Sequence, residues 1–178
     1  GVVERHEVAI SQVDDRRALA YREYGDPDGH AVVNCHGGLL CGLDVAPFDE
    51  TSRELGLRIV SPDRPGLGRS DPAPGRSTAD WARDVGQLID ALGIERCAMF
   101  GWSMGGQYAL ACAALLGERV TRTTVVAGCP PLDARTFAQL NPIDRWLTRL
   151  AQDHPRVATG TFRMIGSAAR HAPRVWTG

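Results

Sequence analysis

The chain has 178 residues, 43% hydrophobic and 23% charged, which is ordinary for a soluble protein and enough for a domain with its own core. Its formal net charge is −1 and its arginines are scattered, which argues against a nucleic-acid or anionic-membrane partner. No apolar run reaches the length that crosses a bilayer, so we expect no membrane association.

Five cysteines bear on compartment and metal binding. Their odd number, with no paired spacing, argues against a disulfide framework and a zinc site. Cys35, Cys97, Cys112 and Cys129 lie in apolar stretches, where a free cysteine behaves as a small hydrophobic residue. We therefore expect a reducing cytoplasm and no bound metal.

The first half of the chain consists of predicted strands and one weak helix. A turn signal, Gly-Asp-Pro-Asp-Gly, lies at 25–29, and a loop rich in proline and glycine extends to Gly75. The predicted elements are strands over 6–10, 19–24 and 31–35, a helix over 45–55, and a strand over 57–61.

The next segment continues this alternation. Ser77 and Asp80 have the spacing of a capping box, which predicts a helix start. A helical stripe follows, a strand is predicted over 97–100, and the helix over 107–116 is apolar nearly all round and is expected to be buried. A last strand is predicted over 123–127. Alternating strands and helices predict an α/β fold with a doubly wound, mostly parallel sheet.

The pattern changes after Pro130. Asn141 is a helix N-cap signal followed by proline, Pro155 starts another helix, and apolar stripes follow both. We therefore expect an α/β core over 1–130 and a helical segment over 131–178.

The sequence Gly-Trp-Ser-Met-Gly at 101–105 directly follows an apolar strand and directly precedes a helix. In that context the serine occupies a strained strand-to-helix turn, which lifts its hydroxyl above the sheet at a helix N-terminus. Backbone N–H groups there favour developing negative charge. The motif predicts Ser103 as a catalytic nucleophile.

A second glycine-rich loop, His36-Gly37-Gly38, follows the strand over 31–35. Such a loop supplies an N–H group to an oxyanion hole. We expect the N–H groups of Gly38 and Met104 to bind the oxyanion. His36 is expected to organise the loop and not to act as the base.

Three motifs in this order, HGG at 36–38, DRPGLGRSD at 63–71 and GWSMGG at 101–106, resemble the α/β-hydrolase superfamily in its cap-bearing, cofactor-independent branch. The resemblance implies that 131–178 is the start of a helical cap. It implies structural roles for Asp63, Arg64 and Asp71, with Asp63 and Ser70 bracing their loop. It also implies a substrate pocket lined by Trp102, Leu39 and Trp146.

The resemblance implies acyl transfer by Ser103 without a metal or organic cofactor, on a small-molecule substrate that is apolar. A serine at 103 argues against the chemistry of relatives that attack with a carboxylate. An ester is the safest choice of substrate. Amide or peptide cleavage, carbon–carbon cleavage and perhydrolysis use the same core and stay open.

The sequence departs from the family in its triad, which runs Ser, then Asp or Glu, then His. After Ser103 the only histidines are His154 and His171, both in the cap-like helices, and Asp133 is a weak candidate for the acid. We expect a C-terminal segment beyond these residues to supply strands, an acid and a histidine. The alternative is a short, non-catalytic relative that acts as a binding or interaction module. A homo-oligomer stays open.

Overall fold

The computed structural model describes residues 9–13, 16–38, 40–129 and 133–171. The chain divides into two compact units, Gly1–Cys129 and Pro130–Gly178. The strands, all in the first unit, are β1 (Ala9–Gln12), β2 (Ala18–Gly25), β3 (His30–Cys35), β4 (Leu57–Pro62), β5 (Cys97–Trp102) and β6 (Val120–Val126). The helices are α1 (Asp49–Glu54), α2 (Thr78–Ala91) and α3 (Gly105–Leu116) in the first unit, and α4 (Ala134–Gln139), α5 (Pro142–Asp153) and α6 (Pro155–His171) in the second.

The six strands form one sheet in the order β1-β2-β4-β3-β5-β6. β1 and β2 pair antiparallel, β2 is antiparallel to β4, and the remaining neighbours are parallel. The chain moves from β3 outward to β4 and then returns across β3 to β5. Because parallel crossovers are right-handed, this reversal places the α1 crossover and the α2 crossover on opposite faces. The prediction of a doubly wound, mostly parallel sheet is confirmed.

The main core lies between the sheet and the helices α2 and α3. Alternate residues of β3, Val33 and Cys35, point into it and are fully buried. The stripe predicted for α2 faces the sheet, and its four fully buried members are Trp81, Val85, Leu88 and Ile89. The helix start is also confirmed, because Ser77 and Asp80 form a reciprocal capping box.

The structure shifts several predicted elements. The strand predicted over 6–10 begins in residues outside the described part of the chain, and β1 continues to Gln12. The helix predicted over 45–55 consists of a 3-10 turn at Ala46–Phe48 followed by α1. β6 starts at Val120, because the polar residues before Thr123 pair with β5, and the left-handed conformation of Ala127 (φ 48°) follows its end.

The prediction that α3 is buried on all sides is wrong. Its buried residues include Ala109 and Cys112, whereas Leu110 and Leu115 are 56% and 59% exposed. Among the described residues α3 packs mainly on the sheet and α2, and part of this apolar helix is left exposed. Apolar composition gave no information on how many neighbours the helix has.

β6 is one of the two edge strands, β1 being the other, and its outer side has no partner among the described residues. Two of its own residues, Val125 and Val126, are partly exposed. On the α1 face, an apolar groove of about 500 Å³ lies over β3, β5 and β6, with Val32, Phe48 and Phe100 in its lining. An unpaired apolar edge promotes association with another strand.

The second unit is helical throughout its described residues, apart from short connections. Asn141 caps α5 by accepting hydrogen bonds from two main-chain N–H groups, with Pro142 at the first helical position, as predicted. Asp133 caps α4, a short helix that is not singled out by a pattern in the sequence. No helix within the described ranges has the length and apolar character needed to cross a membrane.

Glycines allow α3 to begin directly against the sheet. A Cβ on Gly101 would lie 2.6 Å from the Gly105 carbonyl oxygen, and a Cβ on Gly105 would overlap the Cys35 carbonyl oxygen. Backbone atoms at such positions cannot move without shifting a strand or the helix. The helix therefore reaches the end of β3 only because both residues lack a side chain.

We expect Gly105→Ala to lower the free energy of unfolding by about 1–3 kcal/mol, since the added methyl group must displace the end of β3. The matched control is Gly160→Ala in α6, where a Cβ meets open space, so the change should be neutral or stabilising by up to about 1 kcal/mol. Urea unfolding followed by circular dichroism measures both. Equal stability of Gly105→Ala and the wild type would contradict this packing.

Candidate active site

Two loops begin side by side at the carboxyl ends of β3 and β5. The register pairs Cys35 with Gly101, so the loop after β3 and the turn after β5 are neighbours. The strand order reverses at this point of the sheet, which is where open α/β sheets bind ligands. The topology therefore brings 36–38 and 103–104 together, although more than 60 residues separate them in the chain.

Ser103 occupies a strained turn. Its φ is 51°, in the left-handed region that costs a non-glycine residue about 1–3 kcal/mol. The surrounding main chain holds it there. Its N–H donates to the Val126 carbonyl (2.9 Å), and its carbonyl accepts from the N–H groups of Gly106 (3.1 Å) and Cys129 (3.3 Å). The side chain is half-buried, and its hydroxyl bonds to no described residue.

Gly38 and Met104, the residues predicted to supply the oxyanion donors, are in contact with each other. Gly38 lies against Met104, since a Cβ on Gly38 would be 3.4 Å from the Met104 Cε. Met104 is the N-cap residue of α3, where the main-chain N–H groups lack helical acceptors. Within the described ranges neither the Gly38 N–H nor the Met104 N–H donates a hydrogen bond, so both are available to an anion.

His36 is fully buried, and both of its ring nitrogens are engaged. Nε2 lies 3.0 Å from the main-chain N–H of Arg64, so it must be the acceptor. The proton is therefore on Nδ1, which donates to the Gly37 carbonyl (2.9 Å). Burial, with a smaller effect of the nearby Arg64 charge, lowers the pKa of His36 to about 4. His36 organises the loop as a neutral imidazole.

Arg64 reaches the same loop from the end of β4. Its guanidinium donates to the carbonyls of His36 and Gly37, the latter at 2.7 Å, and lies 3.5 Å from that of Gly38. The Tyr108 ring, on α3, covers the guanidinium with its centroid 4.7 Å away. Burial lowers the pKa of Arg64 from its usual value. This side chain connects β4, the loop after β3, and α3.

Asp44 makes polar contacts at the site that are not predicted from the sequence. Its carboxylate accepts hydrogen bonds from Trp102 Nε1 (2.8 Å) and Asn34 Nδ2 (2.7 Å), and from the Gly37 N–H at 3.3 Å. The Trp102 ring lies against Gly37, where a Cβ would be 3.1 Å from the ring. The indole is thus fixed beside the loop. No local motif indicates this contact, because the carboxylate and indole are 58 residues apart.

Residues 30–164 match the family model for the α/β hydrolase fold. The chain belongs to the α/β-hydrolase family. It is 38% identical to a proline iminopeptidase of Xylella fastidiosa (strain 9a5c) over 120 residues, which are 65% of this chain and 37% of that protein. It is 34% identical to a putative carbamate hydrolase of Variovorax paradoxus (strain S110) over 110 residues, 61% of this chain and 41% of that one.

A probable hydrolytic enzyme of Pseudomonas aeruginosa PAO1 has the same fold, with a TM-score of 0.68 at 22% identity, over 83% of this chain and 50% of that chain. This α/β-hydrolase chain thus spans about two fifths of the two curated relatives and half of the solved one.

The predicted pocket residues of this α/β hydrolase lie in different parts of the chain. Trp102 is 37% exposed beside Ser103. Leu39 lies outside the described residues. Trp146 is in α5 of the second unit and is 59% exposed there. Its role in the pocket stays a prediction.

No described histidine of the first unit is a base for Ser103. His36 uses both ring nitrogens in the loop, and His30 is exposed at the amino end of β3, opposite the site. In the second unit, His154 is an exposed residue at the end of α5, and His171 ends α6. Asp133 is engaged as the α4 cap, where the Thr136 N–H lowers its pKa.

The loop after β4 is braced as predicted. Asp63 is fully buried, and its carboxylate accepts hydrogen bonds from the Arg22 guanidinium and the N–H groups of Gly42 and Arg69. Ser70 donates to the Asp63 carbonyl (2.6 Å) and accepts from the Ala20 N–H. In the described part of the chain, no three His, Cys, Asp or Glu side chains are grouped to hold a metal ion.

His36 should make the fold sensitive to acid. Its pKa is about 4 in the folded protein and about 6.5 in an unfolded chain, so between these values the unfolded state binds more protons. The free energy of unfolding therefore falls as the pH drops from 6.5 to 4, by about 3 kcal/mol in total.

Urea unfolding at pH 7.5, 5.5 and 4.5 measures this loss. His36→Asn should lack that part of the pH dependence, because Asn does not titrate. The exposed His30 and His154 are present in both proteins and contribute equally to each. An identical pH dependence of the variant and the wild type would show that His36 is not a buried neutral group.

Proposed function

We propose that this chain carries the nucleophile and oxyanion hole of a serine hydrolase that cleaves an ester or related acyl bond. The observation that carries the proposal is the strained Ser103, whose hydroxyl bonds to no described residue and whose turn adjoins the loop that bears Gly38. Strain of this kind persists where the surroundings hold it, and it is concentrated at active sites.

In the proposed reaction the Ser103 hydroxyl attacks a carbonyl carbon and loses its proton to a histidine. The N–H groups of Gly38 and Met104 stabilise the oxyanion, a contribution worth about 10²–10³ in rate per donor in characterised hydrolases. The tetrahedral intermediate expels the alcohol or amine, which takes the proton, and leaves the acyl group on Ser103. Water then releases the acid by the same steps.

We propose that the catalytic histidine and its acid belong to residues beyond these 178. The described histidines of the first unit offer no base at Ser103, and the chain matches only about 37% of the proline iminopeptidase. The unpaired edge of β6 and the outward-facing side of α3 are consistent with further elements packing there. The second unit would then be the start of a helical cap over the pocket.

The substrate we propose is a small, apolar acyl compound. Two hydrophobic side chains, Trp102 and Met104, are partly exposed at the site, and the cap would add Trp146. The names of the two curated relatives, a proline iminopeptidase and a putative carbamate hydrolase, point to different substrates, so the proposal is limited to the bond class. Five unpaired thiols fit the reducing cytoplasm that we propose as the location.

Ser103→Ala in the full-length protein should reduce turnover of p-nitrophenyl esters by several powers of ten, because nucleophile and base act as a unit. Circular dichroism should be unchanged. A fluorophosphonate probe should label the wild type and not the variant. A folded Ala variant with wild-type turnover would contradict the assignment of Ser103.

A second experiment tests where the base lies. The 178-residue chain alone should react with the fluorophosphonate at least about 10²-fold more slowly than the full-length protein, because a serine without a base is a weak nucleophile. Intact mass after timed labelling gives both rates. A soluble 178-residue monomer that labels as fast as the full-length protein would refute the proposal that the base lies outside it.

A further inference from the structure

Arg64 is a buried cation that bonds to main-chain carbonyls rather than to a carboxylate. It is 1% exposed, and its guanidinium bonds to the carbonyls of the loop after β3. Among the described residues no Asp or Glu lies within ion-pair distance of it. Arg22, by contrast, pairs with buried Asp63 in an ordinary ion pair (3.1 Å).

Stability alone does not account for this arrangement. Removing a guanidinium from water is costly, and carbonyl dipoles with an aromatic face recover only part of that cost. An apolar side chain of similar volume under the Tyr108 ring would avoid that cost, at the smaller cost of leaving the His36 carbonyl without this donor. The arrangement therefore points to a role for the carbonyls that Arg64 holds.

One of those carbonyls belongs to the peptide group that ends in the Gly38 N–H. In a trans peptide the C=O of Gly37 and the N–H of Gly38 point in opposite directions in one rigid plane. The Gly37 oxygen accepts from Arg64 Nη2 at 2.7 Å and from His36 Nδ1 at 2.9 Å. Two donors on the oxygen fix the plane and hence the direction of the N–H.

We propose that Arg64 is a positioning residue of the oxyanion hole. By donating a hydrogen bond to the Gly37 carbonyl, Arg64 orients and polarises the Gly38 N–H on the opposite side of the same peptide group. The inference rests on the proposed function of Ser103 and goes beyond the bracing role implied for the loop after β4. A hydrogen bond to the carbonyl withdraws charge from the peptide, which strengthens its N–H as a donor. The positive charge also favours the oxyanion directly.

The test is Arg64→Met in the full-length enzyme, with kcat and KM measured on a p-nitrophenyl ester. Met fills the space under Tyr108 and removes the donors. We expect kcat to fall about 10- to 100-fold, somewhat less than for the loss of one oxyanion donor. KM should change less than about threefold, because the contact acts in the transition state. Arg64→Lys keeps the charge but lacks the planar fork, so it should recover part of kcat.

The matched control is Arg119→Met. Arg119 also holds main-chain carbonyls, those of Ile94 and Glu95, but at the amino ends of β5 and β6, opposite the site. Its kcat should stay within about twofold of the wild type. The ¹⁵N and ¹H shifts of the Gly38 amide report the peptide directly: they should move in Arg64→Met and stay in place in Arg119→Met.

The outcomes separate the two proposals. A wild type that neither turns over esters nor labels at Ser103 overturns the proposed function, and this inference with it. An active wild type whose folded Arg64→Met variant keeps kcat, or raises only KM, overturns the inference alone. If Arg64→Met does not fold, Arg64→Lys decides: lowered kcat at constant KM with a shifted Gly38 amide supports the inference, and wild-type values overturn it.

Discussion

The close approach of α3 to the end of β3, which the absence of a side chain at Gly105 permits, is the constraint on which the candidate site depends. It brings the first turn of α3 against the carbonyls of Cys35 and His36. This contact between backbone atoms fixes the distance between the Ser103 turn and the loop after β3. Side chains could adjust to a substitution in this region, but two peptide groups in contact cannot. The geometry of the site is therefore set by the sheet register and by glycine.

The charged side chains around the loop after β3 bond to its carbonyls and to the Gly37 N–H, and they leave the N–H groups of Gly38 and Met104 available to an anion. The Arg64 guanidinium lies behind the loop, on its carbonyl side, and Asp44 holds the Gly37 N–H and the Trp102 indole. The available N–H groups of Gly38 and Met104 project where no described acceptor lies. Main-chain donors do not titrate, so protonation affects them only through the side chains that orient them. His36 is one of those side chains, which gives the site and the fold a common sensitivity to acid.

The features of this fold that depend on neighbouring residues in the chain were predicted from the sequence. The Gly-x-Ser-x-Gly turn, the capping box at Ser77 and the N-cap at Asn141 each depend on residues within a few positions, and each forms as predicted. The alternation of strands and helices was sufficient for the fold class. Boundaries were less certain where polar residues join a strand, as at the start of β6.

Contacts between distant residues could not be predicted in the same way. Asp44 meets Trp102, and Arg64 meets Tyr108 and the Gly37 carbonyl, only because the strand order places β4 and β5 on either side of β3. The prediction that α3 is buried failed for a related reason. Apolar composition gives the tendency of a helix to be covered, but only the topology determines which strands and helices lie near enough to cover it. A resemblance to the family implied a structural role for Arg64 without naming the group that it holds.

In the proposed reaction, oxyanion stabilisation and proton transfer are assigned to different parts of the protein. Everything that would stabilise the oxyanion lies between His36 and Tyr108, in backbone groups fixed by neighbouring strands and by buried side chains. Such an arrangement is complete before any base is present, because a peptide N–H needs only orientation to act. A base, in contrast, would have to be positioned at the Ser103 hydroxyl by another element. That hydroxyl bonds to no described residue and is therefore available to such a base. Under the proposed function, the Ser103 turn and the loop after β3 therefore form one rigid unit, and the base can come from a separate segment without disturbing the geometry of that unit.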